Sequence, residues 1–313
     1  MKFAIIRRNG LGDFISATVP MCYYIKETYP DSELHLFLSE QNAELAKHFF
    51  PNEFVYMIPS GNKYLEAIKT ALCHRDIVPD IGISPAPSYN KLCGIFLKLL
   101  GAKKIYGLYN AEDSPCVNFF YSKLIHPSNK DHVSLQNIKL FTSDYLTLPE
   151  RFFPKISLKS PPPICSGQFE QRRLLIELSN NRKTSQLTNE KLALILNSMK
   201  KDIDFTVLIS LKEKDVPKAT TLQKSLTMSS RIVLSPSLDD FIQLINQSTC
   251  FLLGDGGAAH IAGALGKPGV ALFGRTSVCR WGILSKKVIH LFDSEDVNRI
   301  DTDLIKATLL GCL

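Results

Sequence analysis

Leu253-Gly254-Asp255-Gly256-Gly257-Ala258-Ala259-His260-Ile261-Ala262 is the stretch from which the fold can be read. The apolar run entering it is strand-sized, two glycines turn the chain, and small residues open a helix. A strand passing through a tight turn into a helix is half of a βαβ unit. Free amides at such a helix start, aided by the macrodipole, form an anion site. Small side chains at Gly256, Gly257 and Ala258 let a diphosphate descend onto those amides, and His260 on the first turn can donate a further hydrogen bond. Asp255 would repel phosphate, so it suits orienting the turn. The competing reading is a packed corner with Asp255 as cap and His260 buried. A mere corner needs neither the polar residues nor both glycines.

The same alternation runs outward in both directions. Strands are expected at Lys2–Arg7, Glu33–Leu38, Phe54–Ile58 and Ile81–Ser84, with helices over about Asp13–Thr28, Gln41–Phe49, Tyr64–Cys73 and Lys91–Leu100. Ser160-Pro161-Pro162-Pro163 then breaks the pattern, because a proline run continues neither a helix nor a central strand. Beyond it strands are expected at Leu174–Leu178, Phe205–Ile209, Arg231–Leu234, Cys250–Gly254 and Gly269–Phe273. Helices lie between them at Thr188–Met199, Ala219–Ser225, Leu238–Gln247 and Ala258–Leu265. The fold class is therefore α/β, with two Rossmann-like doubly wound parallel sheets and a ligand cleft between them. The expected boundaries are a first domain at 1–158, a linker at 159–170, a second domain at 171–295, and a C-terminal helical segment at 296–313 turning back toward the first domain.

Composition narrows the function. The 313 residues suffice for two domains, and 45% hydrophobic with 21% charged residues is ordinary for a globular chain. No apolar stretch approaches a membrane span, and the N-terminal apolar core is too short for a signal peptide. A cytoplasmic protein is expected. The eight cysteines form no Cys-x-x-Cys and read as free thiols, and the seven histidines lack ligand spacing, so neither metal nor cofactor is expected. The net charge of +7 suits an anionic partner. Without a basic block interleaved with aromatics, nucleic acid is the weakest candidate.

Two further loops carry polar chemistry. Arg7-Arg8-Asn9-Gly10-Leu11-Gly12-Asp13 joins the first strand to its helix, where Gly10 and Gly12 permit a tight turn and close approach of another molecule. Asp there is also an ordinary helix cap. Ser179-Asn180-Asn181-Arg182-Lys183-Thr184-Ser185 follows the first strand of the second half. Arg182 or Lys183 could neutralise diphosphate charge.

Together, these segments resemble the family-9 glycosyltransferases, best known as ADP-heptose:lipopolysaccharide heptosyltransferases. Gly12-Asp13 fits the family's first loop. Asp255-Gly256-Gly257-Ala258-Ala259-His260, Gly266-Lys267-Pro268, Phe273-Gly274-Arg275-Thr276 and Arg280-Trp281-Gly282 match its late signature nearly throughout. The resemblance implies the GT-B architecture and an inverting, metal-independent transfer of heptose from ADP-heptose to the acidic inner core of lipopolysaccharide. In that pattern Asp13 is the catalytic base, and closure of the cleft assembles the site. Donor-binding positions are Ser179, Arg182, Lys183, Asp215 (ribose), Pro236 with Ser237 (base pocket), Asp255, Gly256, Gly257, Ala258 and His260. Acceptor-binding positions are Arg7, Gly10, Gly12 and Lys91, with Arg8, Lys103 and Lys104 adding positive charge and His132 before the last helix of the first half. Peripheral contact with the inner membrane of a Gram-negative cell would follow. The chain departs from the family where Ser179–Ser185 lacks the usual Trp-Pro and where Leu211-Lys212-Glu213 replaces a glycine-rich turn. Both departures leave room for a UDP-hexose or UDP-HexNAc donor. An alternative of another class is a non-catalytic nucleotide-sugar or glycolipid-binding protein.

Overall fold

The computed structural model describes residues 1–8, 10–86, 90–109, 119–158 and 172–313. The chain divides into two compact units, Met1–Pro154 and Lys155–Leu313. The expected proline-rich linker at 159–170 lies outside the described residues. Ile156 already belongs to the second unit, where its N–H donates to the Ala264 carbonyl at 2.9 Å.

The first unit runs β1 (Lys2–Arg7), a one-turn α1 (Leu11–Asp13), a π-helical segment (Phe14–Thr18), α2 (Val19–Thr28), β2 (Glu33–Ser39), α3 (Glu40–Phe49) and β3 (Phe54–Ile58). It continues through α4 (Lys63–Cys73), β4 (Ile81–Ser84), α5 (Lys91–Leu99), β5 (Lys104–Leu108), β6 (Lys123–Ile125) and α6 (Val133–Ile138). The second unit runs β7 (Arg172–Glu177), α7 (Asn189–Met199), β8 (Phe205–Leu211), α8 (Val216–Ser225), β9 (Ser230–Leu234), α9 (Leu238–Gln247) and β10 (Cys250–Gly254). It ends with α10 (Gly257–Ala264), β11 (Gly269–Gly274), α11 (Val278–Trp281), β12 (Val288–Asp293) and α12 (Thr302–Leu310). Each unit holds a six-stranded sheet, in the orders β3-β2-β1-β4-β5-β6 and β12-β11-β10-β7-β8-β9. Every pairing is parallel.

The two orders describe one topology. The chain lays down three strands in one direction, then returns to the other side of its first strand. The switch points are therefore β1/β4 and β7/β10, where crevices open at the carboxyl ends of the strands. The central strands are apolar along their whole length because helices cover both faces. Phe3, Ala4 and Ile5 on β1, and Leu174 and Leu175 on β7, are fully buried. The six cysteines among the described residues form no disulfide with one another, while Cys116 and Cys165 lie outside them.

The structure corrects the sequence reading in two places. β5, β6 and β12 are additional strands. β6 has only three residues, and β12 is an outer strand with Ile289 and Phe292 half-exposed, so neither shows a buried strand's apolar run. The expected C-terminal helix is α12, whose Ile305 and Leu309 are fully buried in the second unit's own core. Gly10 is not demanded by its backbone, since its φ of −56° suits any residue and a methyl group there would meet nothing within 4 Å.

Two other glycines are demanded by packing. The turn Lys183–Ser185 lies directly on the ends of β10 and β11, so a Cβ at Gly254 would overlap the Ser185 carbonyl and one at Gly274 the Thr184 carbonyl. The Gly274 N–H donates to Ser185 Oγ at 3.2 Å. Gly274→Ala should therefore push the turn off the strand ends, costing about 1–3 kcal/mol as overpacked positions do. Gly10→Ala should stay within about 0.5 kcal/mol of wild type in the same denaturant titration.

β7 ends on Glu177, where desolvation raises the carboxyl to about 7, against the pull of Lys212. The folded state therefore holds this proton more tightly than the unfolded chain does. Its carboxylate penalty grows as pH rises from about 4.5 to about 7, and is complete above. Glu177→Gln should stabilise the protein at pH 8 by on the order of 1–3 kcal/mol and much less at pH 5. A difference that does not change with pH in paired unfolding curves would contradict this.

Candidate active site

Along the carboxyl edge of the second sheet the loops after β11, β10, β7, β8 and β9 stand side by side. Thr276, Asp255, the Ser179–Lys183 loop, Asp215 and Pro236 therefore form a row in that order. At the β7/β10 crevice Asp255 is 1% exposed, and its carboxylate pairs with Arg182 Nη1. The same Arg182 nitrogen donates to Thr276 Oγ1 at 3.3 Å. Asn180 locks the arrangement: its Nδ2 donates to the Asp255 carbonyl at 3.0 Å, and its Oδ1 accepts from the Arg182 N–H at 2.9 Å. A carboxylate this buried is tolerable because it is paired and hydrogen-bonded.

Beyond Asp255, Gly256 is fully extended and α10 begins with no side-chain cap. A glycine at the cap position leaves the backbone at the start of α10 open to close approach by a ligand. Gly256 and Gly257 are partly open, whereas Ala258 and His260 are buried. One strand along, Ser179 Oγ accepts from the Lys212 N–H at 2.7 Å and donates to Asp215 Oδ2 at 2.5 Å. Pro236 is exposed at the end of the row, and Ser237 caps α9 by accepting from the Asp240 N–H at 3.1 Å.

The two loop cations diverge. Arg182 faces Asp255 and Thr276, while Lys183 lines a separate pocket of about 370 Å³ with Thr188, Asn189 and Lys218. Arg182 is thus the one beside the α10 amides. Asn180 was missed as an organiser of this corner, since a polar residue on a polar loop gives no sequence signal. Thr276 was visible only as part of the late signature.

In the first unit Arg7 ends β1 and is 2% exposed. Its Nη1 donates across the β1/β4 switch point to the Pro85 carbonyl at 2.8 Å. Its Nη2 lies 3.3 Å from Asp13 Oδ2, with the Asp13 side chain 25% exposed. Burial lowers the Arg7 pKa, and Asp13 opposes that shift. Asp13 is the third residue of α1 and makes no cap bond, so its geometry is that of an ion-pair partner. The π-helical segment after it exposes carbonyls that α6 collects: Ser134 Oγ donates to the Ser16 carbonyl, and Asn137 Nδ2 to the Ala17 carbonyl at 3.2 Å. Such π segments recur at functional sites. His132 belongs to this support, with Nδ1 accepting from the Ser134 N–H at 3.2 Å. Gly12 is tied in as well, its carbonyl accepting from Ser16 Oγ at 2.8 Å.

Beside this corner lies a pocket of about 570 Å³ lined by Arg7, Arg8, Lys63 and Lys91, with no carboxylate among its described lining residues. Lys63 was not singled out from the sequence. Lys103 and Lys104 do not belong here. Lys103 pairs with Asp80 at 2.7 Å, and Lys104 begins β5 at the amino edge of the sheet. Among the described residues, no three His, Cys, Asp or Glu side chains lie together as a metal site.

This geometry can be set beside known proteins. Lipopolysaccharide heptosyltransferase 1 of Campylobacter coli is 22% identical, over 88% of this chain and 84% of that protein. A family-9 glycosyl transferase from Veillonella parvula superposes with a TM-score of 0.80 at 13% identity, covering 99% of this chain and 96% of that one. The ADP-heptose LPS heptosyltransferase II of E. coli gives 0.79 at 16% identity, covering 100% and 98%. The sequence model of glycosyltransferase family 9 (heptosyltransferase) matches residues 93–302, from the start of α5 to the start of α12. With two thirds of its length matched and its glycine turn at the sheet's switch point, the chain belongs to glycosyltransferase family 9.

Proposed function

We propose that the protein transfers a heptose from ADP-heptose to an acidic inner-core acceptor of lipopolysaccharide, with inversion and without a metal ion. The observation that carries this reading is the polar row on the second sheet, with the glycine turn into α10 within it. A nucleoside diphosphate laid along it puts its phosphates on the α10 amides and Arg182, its ribose at Asp215 and its base toward Pro236. Asp255 acts by holding Arg182 rather than by touching phosphate. The names of the Campylobacter coli and E. coli relatives support the choice of heptose and of ADP.

On the first unit, Asp13 takes the proton from the attacking acceptor hydroxyl. Arg7 holds the carboxylate from beneath, leaving its open side to the acceptor. The four cations of the neighbouring pocket suit an acceptor rich in carboxylates and phosphates, with Lys91 and Lys63 as exposed ligands. No helix among the described residues is long and apolar enough to cross a membrane, and we place the protein in the cytoplasm, on the membrane face that carries the acceptor.

Three measurements check this reading. ADP at about a hundred times its dissociation constant should add ~2.7 kcal/mol to stability in a thermal melt. Stabilisation by UDP instead would move the donor to a UDP-hexose, and stabilisation without transfer from any donor would favour a binding protein. Asp13→Asn should lower the transfer rate by about 10²–10⁴-fold while leaving ADP binding unchanged; unaltered transfer would remove Asp13 as the base. Arg182→Ala should weaken ADP binding in calorimetry by about 10- to 100-fold, as loss of a charge-assisted hydrogen bond of ~1.5–3 kcal/mol requires.

A further inference from the structure

The first unit leaves one helix face uncovered. α4 packs against α5 and β3 and buries Ala67, Thr70 and Ala71. Its outer face carries Tyr64, Leu65 and Leu72, which are 53%, 49% and 46% exposed. Partly buried Ile68 lies between them at helical spacing, so the stripe is continuous over two turns. Val78 extends it beyond the helix, 45% exposed. Outer faces of surface helices are normally polar, and apolar side chains grouped like this mark an interaction surface.

Charge and position identify what it meets. Lys63, Lys69 and Arg75 flank the stripe and are exposed. Glu66 and Lys69 pair at 3.4 Å, which leaves Lys63 and Arg75 as the segment's other cations and Asp76 as its other acid. The helix starts at the rim of the cationic pocket, which Lys63 and Tyr64 both line. A stripe of Leu and Tyr edged by long basic side chains suits a bilayer interface, where rings and methylenes enter the headgroup layer and cations face lipid phosphates. We propose that the outer face of α4 docks on an anionic phospholipid surface, bringing the pocket mouth to the membrane that holds the acceptor. The inference rests on the reading of the acceptor as a membrane glycolipid.

The test is sedimentation of the full chain with vesicles that contain no glycolipid. One set is phosphatidylcholine alone, and the other is three parts phosphatidylcholine to one part phosphatidylglycerol. The wild type should bind the anionic vesicles, and less in high salt. Leu65→Ser with Leu72→Ser should weaken that binding by about tenfold or more, with an unchanged melting temperature and unchanged stabilisation by ADP. Leu146→Ser, at an 87% exposed leucine away from α4, should bind as wild type does. Failure of the wild type to bind, equal binding by the α4 double variant, or an equal loss in Leu146→Ser would overturn the proposal. Neither donor nor glycolipid enters this assay. A wrong substrate assignment would show instead in the nucleotide melts.

Discussion

Each sheet presents an arginine–aspartate pair at the crevice where its strand order reverses, and the two pairs are opposites. In the first unit Arg7 is the buried partner and Asp13 the open one. In the second, Asp255 is buried and Arg182 is nearly half-exposed. A buried charge is costly unless it is paired, so each hidden member fixes the position of the open one. The first unit thereby leaves a carboxylate open and the second a guanidinium. The supporting contacts follow from these pairs. Asn180 locks the Arg182 loop, Gly254 and Gly274 let its turn sit on the strand ends, and α6 holds the π-helical segment behind Asp13.

Topology explains why residues far apart in sequence share a site. In a doubly wound sheet every loop at the carboxyl edge faces the same way. Residues near positions 180, 215, 236, 255 and 276 are thus set in a row whose order is fixed by the strands. Polar residues can gather there without interrupting the buried apolar strands beneath. Glu177 is the exception, an acid at the very end of a central strand whose carboxyl burial holds near neutrality.

The fold was legible in the sequence wherever strands are buried on both faces, because such strands read as apolar runs between glycine and proline breaks. The elements that were missed are those lacking that pattern, namely three-residue β6, half-exposed β12, and β5, which begins on Lys104. The turn before α10 was legible as a strand-to-helix turn from its two glycines and the small residues after them. The roles of Arg182 and Asp255 were not. Their pairing spans 73 positions and depends on β7 and β10 being neighbours, which no local motif states. Gly10 shows the reverse error, a glycine whose presence suggested a constraint that its backbone does not impose.

The direct measurement is mass and anomeric analysis of the product formed from ADP-heptose and an inner-core acceptor, with chelator present. A single heptose added with inverted configuration, and undiminished by the chelator, is the expected result. A product that appears only with a UDP-hexose, or that retains the donor's configuration, would contradict it.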